Sequence, residues 1–304
     1  MNSLWGIDLG GTKIEGAVLK DSSSTETVCR LRIPTEADRG YEHIVSRVAE
    51  LVSMMENEVG AKAERIGIGT PGSADPGSGR MKNCNTTALN GRPLPTDLKA
   101  ALGKEVIVAN DANCFALAEA QLGAGRGADV VFGVIMGTGV GGGIVVHGRV
   151  LNGAQGIAGE WGHNVLEPNG QKCYCGKTGC VETVLAGPWL ERHYEHLSGK
   201  RKPLKEIVDS ARQRSDAHAA ATLDRLCSKF GEAISVVVNI LDPDVVILGG
   251  GVGNIDELYS DGVKSLEKWV FNSELRTRVV RPILGDSAGV FGAAHLCLIS
   301  KLRR

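Results

Sequence analysis

The chain has 304 residues, 42% hydrophobic and 23% charged, with a formal net charge of −1. This composition excludes a disordered, collagen-like or coiled-coil chain, and the balanced charge gives no support to a nucleic-acid or membrane-surface role. Aromatic residues make up only 4%, whereas Gly occurs 41 times, about twice the usual share of ~7%. A core of Val, Ile, Leu and Ala follows, with backbone brought close to backbone or ligand at the glycines.

Short β-branched runs alternate with amphipathic stretches, which predicts an α/β fold of about two domains. Residues 4–9 and 14–19 read as strands joined by Gly10-Gly11-Thr12-Lys13. Residues 42–59 place Ile44, Val45, Val48, Leu51, Val52 and Met55 at helical spacing. A strand over 64–69 ends at Thr70-Pro71-Gly72, and another over 105–109 ends at Asn110-Asp111. A helix from Ala112 to Leu122 follows, with Gly123 as its stop. Strands are predicted at 129–136 and 143–146, with a glycine turn between them. The polar stretch 198–218 reads as a surface loop plus helix, and 219–241 as one long helix. A strand over 244–248 runs into Gly249-Gly250-Gly251, and Ser287 to Leu302 reads as a glycine-tolerant helix. No run of 18 apolar residues exists, so no membrane-spanning helix is expected. The strand-like start at Leu4 carries no secretory signature, so a cytoplasmic location is expected.

Residues 5–19 and 132–146 echo one another: Gly6, Gly10 and Gly16 align with Gly133, Gly137 and Gly143. Duplication of a strand–hairpin–strand unit explains the match, as would simple hairpin chemistry. Duplication implies two related α/β domains facing each other across a cleft. The expected division is a small domain over 1–110, completed by a C-terminal helix at about 289–304, and a larger one over 111–288. Asp8 stands where the second copy has Ile135, so the chemistry is asymmetric.

Three glycine turns follow apolar strands: Gly10-Gly11-Thr12-Lys13, Gly137-Thr138-Gly139 and Gly249-Gly250-Gly251. One such turn alone is a hairpin. Three, one preceded by Asp8, point to backbone amides that cradle phosphate, with Asp8 holding Mg²⁺ through water. Gly137 to Gly142 satisfies G-x-G-x-x-G, but strand follows instead of helix, so the dinucleotide fingerprint is rejected. The end of a P-loop suggested by Gly176-Lys177-Thr178 fails because Gly170 is one residue too distant.

His163, Cys173, Cys175 and Cys180, spaced H-x9-C-x-C-x4-C, supply four ligands for a closed, structural Zn²⁺ site, or three reduced thiols on a loop. That loop carries Glu160 and Glu182. Asp111, between a strand and a helix, is either an N-cap or a general base at the carboxyl end of a strand. His193 and His196, three apart on a helix, have no third ligand and read as packing or surface residues.

These segments resemble the ROK family of bacterial sugar kinases and repressors. The resemblance rests on Asp8-Leu9-Gly10-Gly11-Thr12-Lys13, Gly69-Thr70-Pro71-Gly72 and Asn110-Asp111-Ala112-Asn113. It rests equally on residues 137–143, on Gly159-Glu160-Trp161-Gly162-His163 and on the segment Cys173 to Glu182. The resemblance implies a two-domain, actin-like (ribonuclease-H-like) ATPase fold, a homodimer, and ATP, Mg²⁺ and structural Zn²⁺ as cofactors. It implies Asp111 as catalytic base, Asn85, Asn110, Glu160, His163 and Glu182 as sugar ligands, and His163 also as a metal ligand. Residues 82–87, 158–164 and 285–287 look most like the fructokinase (manno-fructokinase) branch, which makes D-fructose, phosphorylated on its 6-hydroxyl, the first expectation. N-acetylglucosamine kinase or glucokinase is the alternative. A non-catalytic, sugar-responsive regulator is the reading from another class. It is disfavoured because the first strand leaves no room for a helix-turn-helix and because Asp111 is present.

Overall fold

The computed structural model describes residues 3–298. The chain opens with β1 (Leu4–Leu9), β2 (Lys13–Leu19) and β3 (Thr27–Pro34), followed by α1 (Tyr41–Val59). Then come β4 (Arg65–Thr70), the short pair β5 (Ser73–Ala74) and β6 (Met81–Lys82), α2 (Leu94–Leu102), β7 (Glu105–Asn110) and α3 (Asp111–Leu122). A second series begins with β8 (Val130–Met136), β9 (Val140–Val146) and β10 (Arg149–Val150). It continues through α4 (Glu182–Leu185), α5 (Gly187–Ser198), α6 (Leu204–Arg212), α7 (Ala217–Leu241), β11 (Val245–Gly249) and α8 (Gly250–Gly253). The last elements are α9 (Asp261–Glu267), β12 (Arg278–Val280) and α10 (Ala288–His295). The predicted C-terminal helix thus ends at His295 with a 3-10 turn to Leu298, and its expected continuation lies outside the described residues.

Two five-stranded sheets carry the fold, in the orders β3-β2-β1-β4-β7 and β10-β9-β8-β11-β12. Counting only the strands of each sheet in chain order, both orders are third, second, first, fourth, fifth. In both, the fourth strand runs parallel to the first and the fifth parallel to the fourth. The glycine echo of 5–19 in 132–146 is therefore repeated at the level of topology.

The chain divides into two compact units. The first comprises residues up to Gly127, Gly143–Ala158 and the residues from Ile283 on; the second comprises Ala128–Gly142 and Gly159–Pro282. The first unit includes α3, which packs on α10.

In the first unit α1 buries Ile44, Val48, Leu51, Val52 and Met55, the stripe that helical spacing predicts. They meet Ile7, Leu9, Ile14, Val18, Ile66 and Ile68 from the sheet. Each buried side chain of this size contributes about 1.5–3 kcal/mol of transfer free energy, as an upper estimate. The opposite face of the sheet is covered differently. A Cβ on Gly6 would lie 2.4 Å from the Val290 carbonyl oxygen, and one on Gly67 would lie 1.7 Å from that of Ala293. On its other side α10 meets α3, where a Cβ on Gly292 would lie 1.7 Å from the Cys114 carbonyl oxygen. Helix α10 is thus clamped between sheet and α3 with backbone against backbone.

In the second unit the long helix α7 supplies the core, burying Leu226, Phe230, Ile234 and Val238. Asp216 caps it by accepting the amides of His218 and Ala219 at 3.0 and 3.2 Å. Trp161 stands edge-on to Phe132 at 6.0 Å and donates its indole N–H to the Ala233 carbonyl at 3.1 Å.

The clamp gives a direct test. Gly67→Ala places its methyl into the Ala293 carbonyl and should lower unfolding free energy by about 1–3 kcal/mol or more. Gly251→Ala, which meets nothing within 4 Å, should change it by less than about 0.5 kcal/mol. Urea denaturation of the two variants measures the difference.

Candidate active site

The first unit places its charged residues along one row of the sheet. Asp8 is in register with Glu15 and with Gly69, Glu15 with Arg32, and Gly69 with Ala109. Strand alternation puts Asp8 on the same face as Gly6, toward α10. There a Cβ on Gly289 would lie 2.8 Å from its carboxylate oxygen. Buried Glu15 is held by Arg30 and Arg32 at 2.6 and 2.8 Å. Asp8 makes no ion pair among the described residues, and Lys13 and Arg32 oppose its shift only in part. Burial first, then the charges of Asp111 and Glu15, push its carboxyl up to about 6.

Asp111 opens α3. The capping bond belongs to its neighbour: the Asn110 side-chain oxygen accepts the Asn113 amide at 2.8 Å. Asp111 is the first helical residue, and its carboxylate accepts the Ala112 amide at 2.8 Å. Of the two roles open to Asp111, the cap is therefore taken by Asn110. Asp111 keeps solvent-accessible surface, yet desolvation by the surrounding protein raises its pKa, opposed by that amide. A carboxylate of raised basicity at the carboxyl end of a strand is suited to accept a hydroxyl proton.

The first glycine turn is closed by the Gly10 amide on the Lys13 carbonyl at 3.0 Å. Fully buried Thr35 clasps it from β3's end, donating its hydroxyl to the Gly10 carbonyl at 2.7 Å and its amide to the Thr12 carbonyl at 3.0 Å. Gly11, Thr12 and Lys13 remain exposed. Thr70 does similar work, donating its hydroxyl to the carbonyls of Gly72 and Ala109 at 2.8 and 3.1 Å. It ties the Gly69-Thr70-Pro71-Gly72 segment to the strand that ends in Asn110-Asp111. Exposed Asn85 follows on a loop whose backbone bonds Pro71 at 3.2 Å. That loop is braced by Asn90 through two bonds to Cys84, at 2.9 and 3.1 Å.

The second unit holds the remaining predicted residues. The Gly137 amide donates to the Gly139 carbonyl at 2.9 Å, and Thr138 is exposed at the tip of the β8–β9 hairpin. The third turn is a strand-to-helix junction: Gly249 ends β11 and Gly250 begins α8. Gly250 has φ +80° and sits with no room for a Cβ against the Met136 carbonyl, so only glycine fits.

His163, Cys173, Cys175 and Cys180 bring their ligand atoms within 4.8 Å of one another. The Cys173 sulfur is 3.6 Å from His163 Nδ1, and the Cys175 and Cys180 sulfurs are 3.6 Å apart. Ligands about 2.3 Å from a tetrahedral centre are spaced in this way, so the donor set fits a closed Zn²⁺ site. His163 Nε2 points away from the thiols and meets the Tyr174 hydroxyl at 3.1 Å. The two ring nitrogens are therefore available to two different partners. Burial, and then the charges of Glu182 and Glu160, push the Tyr174 hydroxyl up to about 12, which puts both carboxylates in its neighbourhood. Glu182 is buried, and one of its oxygens accepts the Val140 amide at 3.1 Å. It thereby ties the cysteine loop to the second glycine turn. Thr35 and Asn90 escaped the sequence reading, and Thr70 and Tyr174 entered it only as members of the motifs that carry the resemblance. Tyr174, an aromatic between two ligand cysteines, carried a visible signal.

Two sheets of one topology, glycine turns after the first strand of each, and a carboxylate at a strand–helix junction define the actin-like class of sugar kinases. The chain belongs to the ROK family, whose model matches residues 4–299. It is 36% identical over 302 residues to an N-acetyl-D-glucosamine kinase of Vibrio atlanticus (strain LGP32), covering 96% of this chain and 98% of that one. The crystal structure of a ROK hexokinase from Thermus thermophilus superposes with a TM-score of 0.87 at 34% identity, covering 97% of each chain. A ROK family glucokinase from Streptomyces griseus, in complex with glucose and AMPPNP, superposes with a TM-score of 0.78 at 28% identity, covering 97% of this chain and 99% of that one. The protein is an ATP:sugar phosphotransferase. No helix among the described residues is long and apolar enough to cross a membrane.

The Asp8 environment predicts a pH-dependent gain on neutralisation. Its folded pKa lies above the ordinary 3.8, so the native state holds the proton more tightly. The stability this group contributes is full below about pH 4 and falls as pH climbs through about 6. Asp8→Asn should therefore be more stable than the parent by about 1–3 kcal/mol at pH 8 and equal to it at pH 4. Denaturation curves at the two pH values provide the check.

Proposed function

We propose that the protein is an N-acetyl-D-glucosamine kinase, transferring the γ-phosphate of ATP to the 6-hydroxyl of the sugar. The observation that carries the chemistry is Asp111, a carboxylate with raised pKa on the first turn of α3, capped by Asn110 and not itself consumed as a cap. The sugar assignment rests on the curated kinase relative that matches over nearly the whole chain. This displaces the D-fructose expectation, for which the relatives offer no support. The hexokinase and glucokinase structures keep glucose as the second reading.

In this proposal Asp111 accepts the hydroxyl proton as the sugar oxygen attacks phosphorus. Asn85, Asn110, Glu160, His163 and Glu182 bind sugar hydroxyls, and a wrong sugar that left the buried Glu182 unpaired would be costly. Amides of the turns at Gly10-Gly11-Thr12-Lys13, Gly137-Thr138-Gly139 and Gly249-Gly250-Gly251 hold the nucleotide phosphates. Asp8 would hold, through water, the Mg²⁺ that accompanies ATP. Zn²⁺ held by His163, Cys173, Cys175 and Cys180 would be structural, since four protein ligands leave no open position. With Nδ1 on the metal side, His163 offers Nε2 to a sugar hydroxyl, in the position where Tyr174 now bonds. The domain division of the sequence reading, the homodimer and the cytoplasmic location stand as proposals beside this one.

Release of ADP from Mg-ATP should be strongest with N-acetylglucosamine in a panel that includes glucose, mannose, fructose and N-acetylmannosamine. A preference for glucose would favour the second reading. Asp111→Ala should lower turnover by about 10²–10⁴-fold with an unchanged circular dichroism spectrum. Near-parental turnover would remove Asp111 from the base role. Cys175→Ser, at an exposed ligand position, should lower bound zinc measured by elemental analysis and raise the KM for sugar.

A further inference from the structure

The second unit contains a cavity of ≈ 610 Å³ lined in part by the cysteine loop, and no step of the proposed transfer uses it. One wall is a single face of α5, where Trp189, Arg192, His193 and His196 fall at positions i, i+3, i+4 and i+7. The cysteine loop supplies Lys172, and α7 supplies Arg225. Against three permanent cations the cavity holds one carboxylate, Glu167. That carboxylate is already committed: it takes Arg225 through both oxygens at 2.8 Å and lies 3.6 Å from Lys229 outside the cavity. The remaining field is positive. Burial, and then the charge of Arg225, hold the His193 imidazole below the usual range, opposed by Glu167.

The lining also selects the body of the ligand. Asn169 and Gln171 offer amide groups to alcohols, and Thr183, whose hydroxyl donates to the Cys180 carbonyl at 2.8 Å, offers an acceptor oxygen. The Arg192 guanidinium covers one face of the Trp189 ring at 4.4 Å. The volume suits a small molecule rather than a polymer. We infer that this cavity is a second binding site, for a phosphomonoester carried on a polyhydroxylated body, the sugar phosphate class. Arg192 and Lys172 take the phosphate, for which a guanidinium fork and an ammonium are suited. The site shares its walls with the metal loop: Lys172 precedes the ligand Cys173, and Thr183 follows Glu182 in α4.

The test needs no turnover, so it stands or falls apart from the kinase reading. Histidine carbon–proton resonances of the full chain are assigned with His193→Gln and His196→Gln. The chain is then titrated with glucose 6-phosphate, inorganic phosphate and glucose. Glucose 6-phosphate should shift His193 and His196 saturably, inorganic phosphate should bind at least tenfold more weakly, and glucose should leave both unmoved. The double variant Lys172→Gln/Arg192→Gln, at two exposed positions, should weaken binding at least tenfold with an unchanged melting midpoint. Equal affinity for inorganic phosphate, shifts confined to His163, or undiminished binding by the double variant would each overturn the inference.

Discussion

Contact of backbone with backbone along α10 is the constraint on which the first unit depends. At Gly6 and Gly67 on the sheet, and at Gly292 facing α3, not even a methyl group fits. Helix, sheet and α3 are thereby held at separations that side chains could not tolerate. The chemistry inherits this precision. Asp8 lies against Gly289 of the same helix, and Asp111 opens the helix packed on its other side. The high glycine and low aromatic content are two aspects of one packing solution.

The repeated topology serves two different tasks. In the first sheet the strand before the turn carries Asp8; in the second the equivalent residue is Ile135. One copy thus gained a half-buried carboxylate whose ionised form is disfavoured by burial and by Asp111. The other acquired the cysteine loop between β10 and α4, whose Glu182 reaches back to the hairpin at Val140.

Much of this was legible in the chain itself. The α1 stripe, the two hairpins and the strand ends at Asn110 and Gly249 are local patterns, and local patterns survive folding. The His163–Cys180 cluster was legible because metal ligands must be few, soft and close. What escaped the reading depends on distance along the chain. Thr35 clasps a turn 25 residues away, and Thr70 reaches Ala109 across the sheet. Neither hydroxyl differs in sequence from any surface threonine. The place of α3 in the first unit follows from its packing on α10, which no local signal announces. The choice among hexoses turns on a few ångströms of pocket shape, and there relatives inform more than residue types do.

The clamp also has a consequence for synthesis. Residue 6 lies against residues 290 and 294, so the sheet that leaves the ribosome first waits for almost the whole chain before its second face is covered. At 5–20 residues per second the delay is on the order of 15–60 s. The second unit's strands and helices, from Ala128 to Pro282 apart from the return through 143–158, are all made within that interval. The second face of the nascent first sheet therefore stays uncovered until a helix of eight residues, made almost last, arrives to close it.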